Sequence, residues 1–281
     1  MEHRPSTQTV LIYVAAALLA VVILAPFAWL VIMSISSAAD LSSLPLRWLP
    51  QKYDFSRYVT LLTVSEHSAG EAFLSSLRNS LEVSGMAVIA ALIVGIPAAW
   101  SVSRHREVGW SIYIAIGSYM LPAVALSVPL YKGLQALGLL NNVIGLAGVY
   151  LTILAPFTAW LLKSGFDGVP KEIESAAMID GARLDQILRR LTLPLAAPAV
   201  TTAALFALMV GWDEFFYALL FTSDDRAKTL TVAVADLAGG RITDYGLIAT
   251  AGVLAALPPV IIGIVLQRSL VAGLTQGGVK G

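Results

Sequence analysis

Cysteine is absent from the 281 residues and histidine nearly so, with three. The chain therefore has no disulfide, thiolate nucleophile, iron–sulfur cluster or thiolate zinc site open to it. His3 sits in the N-terminal tail, His67 in the first long polar loop, and His105 between Arg104 and Arg106 at the end of an apolar run. No apolar run thus offers an imidazole for haem, zinc or a serine–histidine pair, which speaks against an intramembrane hydrolase or redox protein. A G-x-x-x-x-G-K-[ST] string is missing as well, so any ATP that drives the protein is bound by a partner. Charge is scarce, with Asp, Glu, Lys and Arg making up 13% of residues against about 25% in soluble proteins.

What is present is apolar. Hydrophobic residues reach 57% even with glycine left out of the count, against ~45–50% with it in an ordinary soluble domain. Charge avoids residues 5–39, 83–103, 108–131, 133–162, 191–212 and 245–267 altogether, 155 residues in six runs. A bilayer core takes about 20 helical residues to cross, so each run holds one span. The reading is an all-α polytopic membrane protein with six transmembrane helices. The spans are expected at Val10–Ser34, Leu81–Ser103, Trp110–Tyr131, Asn142–Leu162, Pro194–Thr222 and Tyr245–Gln267. Residues 1–9 form an N-terminal tail, 10–268 the six-span unit with a polar hairpin at 163–194, and 269–281 a C-terminal tail.

The first apolar run is too long for a signal-peptide core of ~7–15 residues and is read as a retained span. An even span count puts both termini on one side. With both cytoplasmic, the inner segments carry ten Lys and Arg and the outer ones eight, and five of the ten fall in the short stretch 163–193. The positive-inside rule then favours cytoplasmic termini in a cell membrane. Prolines recur within the spans, at 26, 97, 122, 129, 156, 198, 258 and 259. Each removes a backbone donor and bends or breaks a helix, as suits a bundle that must open, although proline is also generally commoner in membrane helices.

The segment Val169–Pro198 reads as two short helices. Pro170 is placed for a first turn, Glu172 and Glu174 favour its positive dipole end, and Gly181 ends it in a left-handed cap. Leu184, Ile187, Leu188 and Leu191 then form an apolar stripe, with Asp185 and Arg189 able to pair one turn apart. Small residues at Ala176, Ala177 and Gly181 allow another surface to approach closely. An interfacial hairpin lying on the headgroups fits the same periodicity.

The string S-A-A-M-I-D-G, Ser175 to Gly181, followed at the right interval by Leu191 and by Leu193-Pro194, resembles the E-A-A-x3-G-x9-I-x-L-P signature of binding-protein-dependent ABC importer permeases. Ser175 stands where the signature's Glu usually falls, and Glu174 immediately precedes it. The stretches RWLP (47–50), RNSL (78–81), GWDEFFYALLFT (211–222) and LVAGLTQGGVKG (270–281) are similar to the second permease of maltose-type importers. The resemblance covers nearly the whole chain and implies a type I ABC importer permease fold with a cytoplasmic coupling helix in a bacterial inner membrane. It further implies two ABC ATPase subunits that bind the ATP and magnesium, a second permease as heterodimer partner and an extracytoplasmic solute-binding protein. The cargo would be a sugar, with no cofactor in this chain and no nucleic acid among the partners. Alternating access would be the mechanism. Glu174, Ser175, Ala176, Ala177, Asp180 and Gly181, with Leu191, Leu193 and Pro194, would make the ATPase-binding element.

Asp213 and Glu214 stand beside Trp212 and before Phe215, Phe216 and Tyr217 in the fifth apolar stretch. Intramembrane carboxylates are costly and usually face a cavity or a partner. They line a solute path, cap neighbouring helices near the interface, or relay protons in a secondary transporter. Trp212, Asp213, Glu214 and Tyr217, with Asn79 and Tyr119, are the candidate pathway residues. A permease for a non-sugar solute is the alternative that differs only in this lining.

Overall fold

The computed structural model describes residues 7–66, 68–239 and 244–278. Among these the regular structure is helical, apart from one antiparallel bridge between Ser36 and Tyr53. Apolar segments that cross lipid must satisfy their backbone internally, and helices do so within one segment. Four helices are long and apolar enough to cross a membrane unaided, and two bent pairs raise the number to six if each pair is one span.

The chain runs through α1 (Thr7–Ile35), the short α2 (Ala38–Leu41) and α3 (Ser56–Leu62), α4 (Ala69–Arg104), α5 (Trp110–Tyr119), α6 (Ala123–Ala136) and α7 (Val143–Asp167). It continues through α8 (Lys171–Ile179), α9 (Leu184–Ile187), a π-turn at Leu188–Thr192, α10 (Leu193–Leu195), α11 (Ala197–Trp212), α12 (Phe216–Phe221), α13 (Leu230–Ala238) and α14 (Tyr245–Gly278). Two compact units emerge, Met1–Leu74 with Val234–Ala256, and Ser75–Ala233 with Leu257–Gly281.

Several expected boundaries move. α4 begins 12 residues before Leu81, so its N-terminal turns emerge from what reads as loop. The expected third span is α5 and α6, bent by 95°. Pro122 holds an extended ψ of 129° there, and Met120 and Leu121 close back onto Gly117 and Ser118 with tightened i→i−3 bonds. The expected fifth span begins with an 81° bend at Ala196 and ends at Trp212. The first helix takes in residues 7–9 of the expected tail; residues 1–6 lie outside the described set. The backbone of α14 stays helical to Gly278, beyond the expected end at Gln267.

In the first unit the buried Arg57 donates from Nη1 to the Ser36 carbonyl at 2.6 Å and from Nε to Asp244 at 3.1 Å. Thr250 donates to the Ser34 carbonyl, which ties the end of α1 to the start of α14. In the second unit Val83, Ala87 and Ala91 of α4 present one apolar row at i, i+4 spacing to Leu146, Tyr150 and Leu154 of α7, with Ala207, Tyr217 and Phe221 closing the cluster. A second cluster, built on Ala99, Leu162, Phe166, Ala196 and Ala203, fills the other end of α4, α7 and α11. α7 and α11 touch so closely here that a Cβ on Gly165 would lie 2.2 Å from that of Ala199.

Candidate functional site

The polar hairpin forms as its sequence suggests, up to a point. α8 ends at Ile179, and Gly181 follows in the left-handed region at φ +84°, with the Ala182 amide donating to the Ala177 carbonyl. No heavy atom stands within 4 Å of where its Cβ would be, so backbone conformation alone demands glycine. The second helix is only one turn before it widens into the π-turn. Asp185 does not reach along the helix to Arg189; it pairs with Arg183 at 3.2 Å.

Glu174 is the unexpected residue. Its side chain is 6% exposed, and Arg104 at the end of α4 grips it with two hydrogen bonds, Nε to Oε2 at 2.7 Å and Nη2 to Oε1 at 2.8 Å. Thr192 of the π-turn donates to Oε1 at 2.5 Å, and the Trp100 indole adds a 3.3 Å bond. Burial, the largest single influence, raises the Glu174 pKa, but the donors from Arg104, Thr192 and Trp100 together outweigh it and hold the carboxyl below its usual range. The carboxylate is thus engaged by donors from within the chain on both oxygens. Exposed on α8 are Lys171, Glu172, Ile173, Ser175, Ala176, Met178 and above all Ile179, 87% exposed, with Asp180 just past its end and Leu184 of α9 at 60%. Leu191 and Leu193 are half-buried and Pro194 is exposed.

The pathway candidates part company. Tyr119, Thr152 and Tyr217 line a cavity of about 250 Å³ at the break between α5 and α6. Tyr119 stacks on Phe157 at 5.7 Å, and Phe157 also meets Trp160 and Phe206, so an aromatic series leads away from the cavity. Asn79 belongs elsewhere: its amide donates to the carbonyls of Asp225 and Lys228 at 2.8 and 3.0 Å, fastening α4 to the 223–229 loop. Glu214 sits at the gap between α11 and α12 and accepts the amides of Tyr217 and Ala218 at 2.8 and 3.2 Å. It caps a helix. Asp213 is exposed and Trp212 half-buried at the end of α11.

Residues 89–276, two thirds of the chain, match the family model of the binding-protein-dependent transport system inner membrane component. The chain belongs to this family. Among curated relatives, the permease is 32% identical over 276 residues to the trehalose/maltose transport system permease protein MalG of Thermococcus litoralis, covering 97% of each chain. It is 31% identical to the sulfoquinovosyl glycerol transport system permease protein SmoH of Agrobacterium fabrum, covering 96% of this chain and 93% of that one. A chain of a bacterial ABC transporter involved in import of the acidic polysaccharide alginate shares the fold, with a TM-score of 0.78 at 24% identity over 96% of this permease and all of that chain. Type I importer architecture is thereby the fold of this permease.

Two functional features escape the sequence reading. The Arg104 guanidinium lies 70 residues from Glu174, a separation no local periodicity spans, and nothing in the sequence marks Phe157 as the ring on which Tyr119 stacks. The proline at 122 was the available signal for the bend.

Proposed function

We propose that this permease forms half of the translocation pathway of an ATP-driven importer for a sugar or sugar-like solute, and that α8 is the helix through which ATPase subunits act on it. The observation that carries the coupling part is the apolar tip of α8. Met178 and Ile179 lie outside every apolar run and remain exposed, and apolar surface there is stabilised by entering a groove on another protein. Both termini and the 163–194 hairpin are then cytoplasmic. The nucleotide and magnesium belong to the ATPase pair, and this chain holds no cofactor. A second permease completes the pathway, and an extracytoplasmic binding protein delivers the solute.

The sugar reading draws on the relatives' names and on the cavity at the α5–α6 break. Tyr119 and the Phe157 series supply aromatic faces for the apolar faces of a sugar ring, while Thr152 and the tyrosine hydroxyls supply partners for its hydroxyls. Asp213 stays in this reading as an exposed group near the end of α11. Affinity purification in mild detergent, with identification of co-purifying chains, tests the proposal. A P-loop ATPase and a second permease are expected. Recovery of the intact permease with neither would end it.

A further inference from the structure

All five N–H groups of Arg104 are in use. Nε and one Nη2 proton go to Glu174, the other Nη2 proton to the Val169 carbonyl at 3.4 Å, and Nη1 to the Phe166 carbonyl at 3.0 Å and to Ser103 at 2.9 Å. Ser103 in turn donates to Asp167 at 2.6 Å, and Asp167 also accepts from Lys163. One guanidinium at the end of α4 thus joins the last turn of α7, the first turn of α8 and, through the Glu174 carboxylate, the π-turn that leads to α11.

We infer that the Arg104–Glu174 pair is the rigid joint that passes movement of α8 to the spans α4, α7 and α11. An inference of this kind rests on the proposed coupling role of α8. Two properties suit the pair to that task. A planar fork with every donor satisfied has a single favourable geometry, so α8 cannot swivel against α4 without breaking several bonds at once. The joint is also largely shielded from solvent, with Arg104 10% and Glu174 6% exposed, so a bond that stretches is poorly replaced by one to solvent. Arg104 and Glu174 are positioning residues, since neither faces solute or nucleotide. A helix fastened only through its flanking loops would absorb a push by bending them. One clamped at its first turn moves its neighbours instead.

The test uses the complete importer reconstituted in proteoliposomes, with ATP hydrolysed per solute imported as the readout. The Arg104→Met/Glu174→Met double variant removes the link and the buried charges together, so neither charge is left unpaired. It is expected to assemble with its partners and keep the wild-type apparent KM for solute, while ATP spent per solute rises about tenfold. An assembled double variant with an unchanged ratio overturns the inference. Should it fail to assemble, Thr192→Val decides, because it deletes one hydrogen bond of the joint; a rise of about threefold supports the joint and no rise overturns it. If the wild-type preparation shows no ATP-dependent uptake, it is the proposed function that has failed, which the wild-type measurement reveals before any variant is made.

Discussion

Gly165 offers a calculation that can be checked closely. A methyl group there would sit 2.2 Å from the Ala199 Cβ, whereas non-bonded carbons rest about 3.5–4.0 Å apart, so α7 and α11 must part by roughly 1.3–1.8 Å or twist. Overpacking of this kind costs about 1–3 kcal/mol. Alanine is also the better helix former by about 0.8–1.0 kcal/mol, which offsets part of that loss in Gly165→Ala. Ala199→Gly alone loses about 1 kcal/mol of helix propensity and relieves nothing. In the double variant the methyl merely crosses from α11 to α7, and the two propensity changes cancel. The interaction energy of the cycle therefore isolates the clash, about 1–3 kcal/mol. Thermal unfolding of the purified permease in detergent, followed by loss of the monodisperse peak, measures it. The expected order is wild type and double variant together, with both single variants a few degrees below. A Gly165→Ala variant stabilised by the full helix-propensity gain of about 0.8–1.0 kcal/mol, with no interaction energy left in the cycle, would refute the close packing.

Other expectations follow from the site. Gly181→Val is expected to abolish ATP-driven uptake while leaving the protein in the membrane, because a left-handed residue with a side chain costs about 1–2 kcal/mol and β-branching adds to it; Gly181→Asn, which tolerates that conformation, should retain most uptake. Ile179→Asp should leave the melting temperature of the isolated permease unchanged and reduce the ATPase that co-purifies with it, since the side chain is exposed and touches little within the chain. Glu214→Ala strands two amides and should destabilise by about 1–3 kcal/mol, whereas Glu214→Gln keeps one acceptor and should retain ATP-driven uptake that a protonophore does not collapse. The pH profile of the Glu174 joint has a definite sign. With its pKa depressed in the fold, the carboxylate's stabilising contribution is complete above the unfolded value of about 4.3 and is lost as pH falls through the lower folded value, so thermal stability attributable to Glu174, taken as wild type minus Glu174→Gln, should be flat from neutral pH to about 5 and decline only below.

The charge-free runs and their lengths make the number of spans legible, because bilayer thickness is an external ruler that any apolar stretch must meet. The left-handed cap at Gly181 is legible too, since its cause is local. The ends of α4 and α14 are not. Polar residues from Ala69 to Asn79 read as loop, yet Phe73, Ser76 and Asn79 find burial in the fold, and tertiary partners decide where a helix stops more than propensity does. The bend at Pro122 is half legible: proline marks the place but not the angle, and on its two sides α5 packs on α7 and α6 on α12. The roles of the carboxylates are the least legible of all. Glu174 reads as the charge nearest the signature position and turns inward to Arg104; Glu214 reads as a pathway group, a cap or a proton relay, and it caps α12; Asn79 reads as a pathway amide and fastens a loop. Glu174 and Asn79 find their partners far away in sequence, and Glu214 finds its own only three and four residues on.

The π-turn at Leu188–Thr192 has a consequence of a different sort. It carries one residue more per turn than an α-helix, and an α-helix advances about 100° with each residue. Deleting a single residue there would let the turn close into regular helix that makes the same full revolution with one residue fewer, so the hairpin before it would keep nearly its present heading relative to α11. The π-turn thus takes up one residue of length between Gly181 and Pro194, a change that regular helix would pass on to α8 as a rotation of about 100°.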